Sequence, residues 1–384
     1  MTVQTLAIIV LLVSFFVMIF LRFPIAYAVG LSSVLCMLVQ GQALTDVCRL
    51  MVKGISSFSL MAVPFFITMG VLMGSGGISE KLIALADACV GWMRGGMAMV
   101  NIVASYFFGG ISGSASADTA SIGSIMIPMM VDQGYGADFS TAVTITSSCE
   151  GLLVPPSHNM VIYATTAGGI SVGSLFLAGY LPGALLAIVL MIGSYIISVK
   201  RHYPKHERSS WKKRLEVTKD AIWALLMPVI LLGGILSGIF TPTEASIVTC
   251  VYSLIVGVFV YKEIKLSDVP RIVYTNMRSC SSIIILIGLA NVFAFILTNE
   301  RIPQKVATAI LSMTTNRILV ILLINLVLIF VGMFMESLAA ILITFPVLLP
   351  VATAVGMNPV HFALMAILNL MIGLTTPPVG MCIC

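Results

Sequence analysis

Long apolar runs without charged residues recur along the whole chain, and they limit how it can fold more than any other feature. The run from Leu6 to Leu21 contains no Asp, Glu, Lys or Arg. A helix needs about 20 apolar residues to cross roughly 30 Å of hydrocarbon. Only 9% of the residues are charged, whereas a soluble domain carries about 25%. The sequence therefore predicts an all-α polytopic membrane protein and excludes a soluble enzyme.

Basic residues are concentrated in one segment. Residues 200–219 hold eight of the twenty Lys and Arg residues. Because cytoplasmic loops of membrane proteins are enriched in positive charge, this segment is predicted to be a cytoplasmic linker between a first half, 1–199, and a second half, 220–384. The alternative role for such a linker is binding of anionic lipid. Either role explains the net charge of +5 without a nucleic-acid partner.

The two halves share a pattern of residues at nearly constant spacing, with offsets between 218 and 224. Such spacing is typical of a duplicated unit with small insertions. An offset of 222 would place the counterpart of Val199 at position 421, so the second half is expected to be truncated at Cys384. The matched pairs are Ile78 and Ile302, Lys81 and Lys305, Asp118 and Glu336, Pro128 and Pro346, Gly134 and Gly356, Gly151 and Gly373, Pro155 and Pro377, and Pro156 and Pro378.

Each half has one apolar run that is too long for a single crossing. The runs near 97–131 and 318–350 are interrupted by small or acidic residues, so each is predicted to form a re-entrant helical hairpin. Each half also has a proline-interrupted helix, near 139–166 and 360–378. Proline lacks an N–H group, so carbonyls at 151–153 and 373–375 are predicted to be free to coordinate a cation. The alternative is a simple kink whose carbonyls neighbouring helices satisfy.

Acidic residues lie inside these segments without basic neighbours. Asp118 and Glu150 fall in a stretch, 95–199, that has no Lys or Arg, and Glu336 is similarly placed. An ionised carboxylate at membrane depth costs several kcal/mol unless a cation, a helix N-terminus or water accompanies it. Each acid is therefore a candidate for an ion site. The alternative for Asp118 and Glu336 is a helix-capping role or a hairpin tip at the membrane surface.

Hydroxyl groups and glycines surround the acids. The segment from Gly109 to Asp118 is small and polar, which predicts a hairpin tip whose hydroxyls and carbonyls offer the hard oxygens that sodium prefers. The alternative is close helix packing through small residues. Around the proline breaks, further side-chain oxygens come from Ser157, Asn159, Thr375 and Thr376.

Three other patterns have different explanations. Thr241, Pro242 and Glu244 match a capping box at a helix start. The four histidines and eight cysteines show no spacing typical of a metal centre, and no P-loop motif is present. The segment Gly110–Gly113 has the form GxSG, which resembles the nucleophile segment of rhomboid peptidases and leaves an intramembrane serine peptidase using Ser112 as a remote alternative.

Four segments together resemble one family: FFGGISGSASADTASIGSIMIP, GLLVPPSHNMVIY, GIFTPTEASIVTCVY and GLTTPPVG. They are similar to the large membrane subunit, DctM type, of tripartite ATP-independent periplasmic (TRAP) transporters. The resemblance implies two inverted repeats, elevator-type transport and sodium as the coupling ion, with no cofactor. It also implies a small DctQ-type membrane subunit, a periplasmic DctP-type binding protein and location in the bacterial inner membrane. The function implied is uptake of an organic acid; the alternative is an organic-acid carrier without a binding protein.

The resemblance also implies the residues of the sites. Sodium would lie between each hairpin tip and its proline break, and the substrate carboxylate would lie between the two tips. The sodium candidates are Ser112, Ser114, Ser116, Asp118, Gly151, Gly332, Glu336, Gly373, Thr375 and Thr376. The substrate candidates are Ser157, Asn159 and Ser337. The helix breaks are Pro155 with Pro156 and Pro377 with Pro378.

Overall fold

A computed structural model describes residues 3–21, 23–208, 210–313, 316–377 and 382 of the chain. Over these residues the fold is entirely helical apart from turns, loops and one isolated bridge between Arg94 and Lys205. A short 3₁₀ turn lies at Phe58–Met61, and a π-helical segment at Val256–Val260 extends one helix. The helices are α1 (Val3–Phe20), α2 (Ile25–Val39), α3 (Leu44–Ile55), α4 (Ala62–Ser75), α5 (Ile78–Val90), α6 (Gly96–Ser112), α7 (Ala115–Asp132), α8 (Ala137–Ser148), α9 (Glu150–Leu153), α10 (His158–Ala167), α11 (Val172–Lys200), α12 (Trp211–Leu236), α13 (Pro242–Ile255), α14 (Val269–Asn299), α15 (Ile302–Met313), α16 (Arg317–Gly332), α17 (Ser337–Ala354) and α18 (Pro359–Leu374).

Length and composition make several of these helices suitable for crossing a bilayer. Within the described residues, six helical segments are long and apolar enough, and shorter apolar helices accompany them. This agrees with the prediction of an all-α polytopic membrane protein. The six segments are Phe58–Ser75, Val172–Lys200, Trp211–Leu236, Pro242–Val260, Val269–Asn299 and Ser337–Ala354.

The same helix-terminating turn occurs once in each half. Gly134 after α7 and Gly356 after α17 have φ values of +88° and +77°. In this left-handed region glycine is the residue of lowest strain, and it commonly ends helices. The N–H of Tyr135 donates to Met130 O over 3.0 Å. In the second half, the N–H of Met357 donates to Ala352 O over the same distance. The turn therefore supports the repeat at the level of backbone hydrogen bonds.

The chain divides into two compact units. The first comprises Met1–Leu60, Ile162–Ile170 and Met277–Pro378, and the second comprises Met61–Val161, Ser171–Asn276 and Val379–Cys384. Each unit draws segments from both predicted halves. The first hairpin, α6 and α7, and the first broken helix lie in the second unit as far as Val161. The second hairpin, α16 and α17, and α18 lie in the first unit.

The core of the second unit packs helices α6, α7 and α8 together. Its buried residues include Phe108, Met126, Tyr135 and Phe139. A buried hydrogen bond of 2.6 Å from Asn101 Nδ2 to Thr144 Oγ1 joins α6 to α8. In the first unit, the Asn369 amide makes a matching 2.8 Å bond to Asn325 Oδ1, which joins α18 to α16. Both pairs connect the first helix of a hairpin to the helix that follows the hairpin.

Part of the predicted linker, residues 200–219, is helical. Helix α11 ends at Lys200, and α12 begins at Trp211. The charged residues from Lys212 to Lys219 form the first turns of α12. Hydropathy indicates where the chain enters the membrane. Residues such as Lys, Arg and Glu favour helices, so α12 begins before that boundary.

The non-helical linker is held against the base of the first hairpin. Arg201 Nη1 donates to both carboxylate oxygens of Asp138, over 3.1 and 2.9 Å. The N–H of Gly95, just before α6, donates to Pro204 O over 3.1 Å. The linker therefore connects the end of α11 to the open end of the hairpin.

The predicted capping box at the start of α13 is confirmed. Thr241 Oγ1 accepts from the N–H of Glu244 over 3.3 Å, and the Glu244 carboxylate accepts from the N–H of Thr241 over 2.8 Å. Pro242 occupies the first helical position. These residues have a local structural role.

Candidate functional site

The tip of the first hairpin is a two-residue connection. Helix α6 ends at Ser112, Gly113 adopts φ +63°, and α7 begins at Ala115. The N–H of Gly113 donates to Gly109 O over 2.9 Å, and the N–H of Asp118 donates to Ser114 O over 3.0 Å. A side chain at Gly113 would be strained, so glycine permits the chain to reverse here.

Asp118 lies in the first turn of α7 and is 0% exposed. The hydroxyls of Ser105 on α6 and Ser148 on α8 face its carboxylate. Neither makes a hydrogen bond of good geometry, and both carboxylate oxygens have no hydrogen-bond partner within the described part of the chain. The side chain therefore does not cap α7. An ionised carboxylate buried in this way costs several kcal/mol unless a counter-charge accompanies it.

The first break separates α9 from α10 at residues 154–157. Its carbonyls are only partly free. Ser157 Oγ donates to Leu152 O over 2.8 Å, and Tyr180 OH on α11 donates to Pro155 O over 3.2 Å. The prediction that carbonyls 151–153 are all unpartnered is therefore wrong for Leu152. The proline break itself is present as predicted.

The hairpin tip packs directly against this break. A Cβ added to Gly113 would lie 2.9 Å from His158 Nδ1 and 3.2 Å from Pro156 O. Deeper along α6, a Cβ on Gly109 would lie 2.5 Å from the Cα of Gly151. Real Cβ atoms essentially never approach other atoms so closely. Glycine at these positions lets two backbones touch. This is the close packing through small residues that was the alternative prediction for this segment.

The second half repeats this arrangement within the first unit. A Cβ on Gly373 would lie 2.6 Å from the Cα of Gly332, so α18 and α16 also meet backbone to backbone. Residues 333–336 connect α16 to α17. Glu336 occupies the N-cap position of α17 and is half-buried, but its side chain makes no capping hydrogen bond. The capping alternative is therefore wrong for Glu336.

The second break follows α18. Thr375 Oγ1 and Thr376 Oγ1 both donate to Ile372 O, over 2.9 and 2.7 Å. The N–H of Thr376 donates to Gly373 O over 2.9 Å, so the prediction of a free carbonyl is wrong for Gly373. Both threonines are half-buried, and their oxygens keep lone pairs that can accept or coordinate. Pro377 is described, whereas Pro378 lies outside the described residues.

The contacts of the predicted residues are mostly local. The N–H of Asp118 donates to Ser114 O, and Gly332 contacts Gly373, which accepts from the N–H of Thr376. Of Ser112 and Ser116 only the backbone, at the end of α6 and the start of α7, is described. The substrate candidates Ser157, Asn159 and Ser337 are all buried.

Sequence reasoning did not include Ser105, Ser148 and Tyr180 among the site residues. Ser105 and Ser148 are 0% exposed. A buried serine carries no distinctive local pattern, and only contacts between α6, α7, α8 and α11 reveal these positions. The sequence did indicate Glu150, because it is an acid in a stretch without Lys or Arg. The structure shows that Glu150 is also 0% exposed.

Comparison with solved structures shows the fold. The chain is similar to the YdaH transporter of Alcanivorax borkumensis, with a TM-score of 0.64 and 15% sequence identity. The likeness covers 88% of this chain and 79% of YdaH. At this identity it supports a shared transporter architecture and nothing finer.

Comparison of sequences shows the family. The family described as "Tripartite ATP-independent periplasmic transporter, DctM component" matches residues 12–384. The SiaM sialic acid TRAP transporter large permease protein of Vibrio cholerae is 44% identical over 331 residues, 86% of this chain and 77% of SiaM. The DctM C4-dicarboxylate TRAP transporter large permease protein of Pseudomonas aeruginosa is 41% identical over 324 residues, 84% of this chain and 76% of that protein.

These relatives are permeases, so the peptidase alternative at Ser112 is wrong and the protein is not an enzyme. The matched segment includes both hairpins and both proline breaks. The helices and the relatives agree with a multi-pass protein of the bacterial inner membrane. The chain belongs to the DctM component family and is the large permease subunit of a tripartite ATP-independent periplasmic transporter.

Proposed function

We propose that this permease takes up an organic acid by sodium-coupled secondary transport. The main support for sodium coupling is the carboxylate of Asp118, which is 0% exposed and has no hydrogen-bond partner among the described residues. Such a carboxylate is stable when a cation accompanies it. No Lys or Arg occurs between residues 95 and 199 to provide that charge.

The groups around Asp118 fit sodium. Sodium is a hard cation that prefers oxygen ligands, and transporters bind it with carboxylates, hydroxyls and backbone carbonyls at helix breaks. The hydroxyls of Ser105 and Ser148 face the carboxylate. The backbone of Gly113 and that of Pro156 meet beside them. Sodium would supply the positive charge that these groups lack.

The second half offers a related set of oxygens. Glu336 lies at the hairpin connection, and Thr375 and Thr376 lie beside the break with lone pairs available. We include them in the proposal as the second sodium site, together with the backbone at Gly332 and Gly373. Ser112, Ser114, Ser116 and Gly151 complete the proposed residues of the first site.

The organic acid is proposed from the relatives. The names of two similar permeases state that they carry sialic acid and C4-dicarboxylates. A carboxylate needs hydrogen-bond donors, and amide and hydroxyl groups supply them. We propose Asn159 and Ser337 as such donors. Ser157 donates its hydrogen to Leu152 O, so it contributes by holding the break in place.

We further propose the partners that the word tripartite implies: a small DctQ-type membrane subunit and a periplasmic DctP-type binding protein. The binding protein would deliver the acid, and an elevator-type movement of the hairpin-bearing helices would carry it across the bilayer. An organic-acid carrier that needs no binding protein is the second candidate within transport.

Uptake into proteoliposomes tests this proposal. The purified membrane complex would be reconstituted with a panel of sialic acid, sugar acids and C4-dicarboxylates outside, under an inward sodium gradient or an equal choline gradient. We expect uptake of at least one acid with sodium and the binding protein together. Equal uptake in choline would contradict sodium coupling. Full uptake without the binding protein would favour the second candidate.

A further inference from the structure

We propose that Glu150 is a second carboxylate of the first-half ion site, so that this site binds more positive charge than the matching site in the second half. The proposal rests on the sodium coupling proposed above and deepens it. Its ligand is sodium, bound by Asp118 and Glu150 together with the hydroxyl of Ser148.

Glu150 is placed and buried like Asp118. It is 0% exposed, and both of its carboxylate oxygens have no hydrogen-bond partner in the described structure. Helix α9, which it begins, packs against α7, and the two carboxylates lie within electrostatic range of each other. Two adjacent buried carboxylates repel each other when both are ionised. Cation binding removes that repulsion.

An independent observation supports a ligand at this place. Ser148, two residues before Glu150, is 0% exposed and its Oγ also has no hydrogen-bond partner in the described part of the chain. This hydroxyl faces the carboxylate of Asp118. Buried hydroxyls are normally hydrogen-bonded, so three neighbouring side chains with unpartnered oxygens indicate a bound group that the chain itself does not supply. One cation would satisfy all three side chains at once, because two of them are carboxylates.

The elements packed against α9 contain one basic residue, Lys200 at the far end of α11. These elements are α6, α7, α8 and α11. Their sequence from residue 96 to residue 199 has no Lys or Arg. The titratable groups within electrostatic range of Glu150 are Asp118, Tyr106 and Cys149. Cys382 lies beside Cys149 and also faces Asp118.

The two halves differ at this position. The backbone contacts of Gly109 with Gly151 and of Gly332 with Gly373 align the two repeats. Glu150 precedes Gly151, whereas Ile372 precedes Gly373 and is 43% exposed. The first-half site therefore has one carboxylate more than its counterpart. The second half has no acid at the position of Glu150, so a function that the two halves share does not need this charge. The charge of Glu150 therefore acts only at the first site.

Direct sodium binding tests this assignment without measuring transport. Binding of radioactive sodium to the purified membrane complex would be compared for wild type, Glu150→Gln, Asp118→Asn and Glu80→Gln. Glu80 is an exposed glutamate on α5, so its substitution is a matched control. We expect Glu150→Gln to weaken the tightest sodium binding by about tenfold or more, as loss of a group that supports a metal site does. We expect Glu80→Gln to leave binding unchanged.

A binding curve for Glu150→Gln within about twofold of wild type would overturn the proposal. If wild type itself bound no sodium, sodium coupling would be refuted instead. The two failures are therefore distinguishable. If Glu150→Gln does not fold, amide hydrogen exchange of wild type in sodium and in choline replaces it. Slower exchange of the amides at 150–154 in sodium is expected, and equal exchange in both salts would overturn the proposal.

Discussion

Gly109 on α6 and Gly151 on α9 touch through their backbones: a Cβ on Gly151 would lie 2.7 Å from the Cα of Gly109. No side chain can yield to relieve that contact, because both partners are main-chain atoms. The contact holds the first arm of the hairpin against the segment that leads into the proline break. The tip and the break can therefore approach this closely only because both residues are glycine, which has no Cβ atom.

Substitution of Gly151 by alanine should therefore destabilise the protein. Overpacking of this kind costs about 1–3 kcal/mol. Gly193→Ala on α11 is the control, since nothing lies within 4 Å of a Cβ at that position. Thermal unfolding of the two purified variants measures the difference. Equal melting temperatures would show that α6 and α9 separate without loss, contrary to the packing described here.

Loss of the Ser157 hydroxyl should weaken the first break. The Ser157→Ala variant leaves Leu152 O, buried in the core, without its donor, and an unsatisfied buried carbonyl costs about 1–3 kcal/mol. Ser124→Ala is a matched control, because Ser124 is exposed and its hydroxyl donates to Ser121 O within the same helix. Thermal unfolding again provides the measurement. A Ser157→Ala protein as stable as Ser124→Ala would mean that water or a rotated neighbour satisfies Leu152 O.

The predicted parts of this site are those with a local signature. Glycine and proline change the backbone wherever they occur, so the break at Pro155 and Pro156 could be predicted from the sequence. The constant offset between the halves then predicted Gly373, and the family resemblance implied Gly332. Acids without basic neighbours predicted Asp118 and Glu150 in the same way.

The parts that could not be predicted depend on contacts between distant segments. Tyr180 satisfies Pro155 O from another helix, and nothing in its own sequence neighbourhood indicates that partner. The pairing of Asp138 with Arg201 across 63 residues is of the same kind. The start of α12 at Trp211 could not be predicted either, because hydropathy locates the membrane and not the end of a helix.

The linker contact should respond to acid. Hydrogen bonding to Arg201 holds the pKa of Asp138 below its ordinary value. A carboxyl whose pKa is lowered by folding contributes stability above its unfolded pKa, about 3.9, and loses it as the pH falls through the lower folded value. Both side chains are exposed, so the effect should be small.

Asp138→Asn tests the linker contact directly. The melting temperature of wild type should exceed that of the variant slightly at pH 7 and at pH 5, and the difference should vanish in stronger acid. Cleavage by trypsin at Lys205 and Arg208 at neutral pH should be faster in the variant, because the linker is no longer held. Equal cleavage rates would show that Arg201 and Asp138 do not restrain the linker.

The central claim is that Asp118 binds the sodium ion that drives uptake, and the most direct measurement is uptake of the transported acid as a function of sodium concentration. Wild type, Asp118→Asn and Asp132→Asn would be compared in proteoliposomes; Asp132 is exposed at the other end of the same helix. We predict that Asp118→Asn raises the sodium concentration for half-maximal uptake by about tenfold or abolishes uptake, since a buried cation loses its counter-charge, and that Asp132→Asn behaves as wild type. Unchanged sodium dependence in a folded Asp118→Asn protein would contradict the claim.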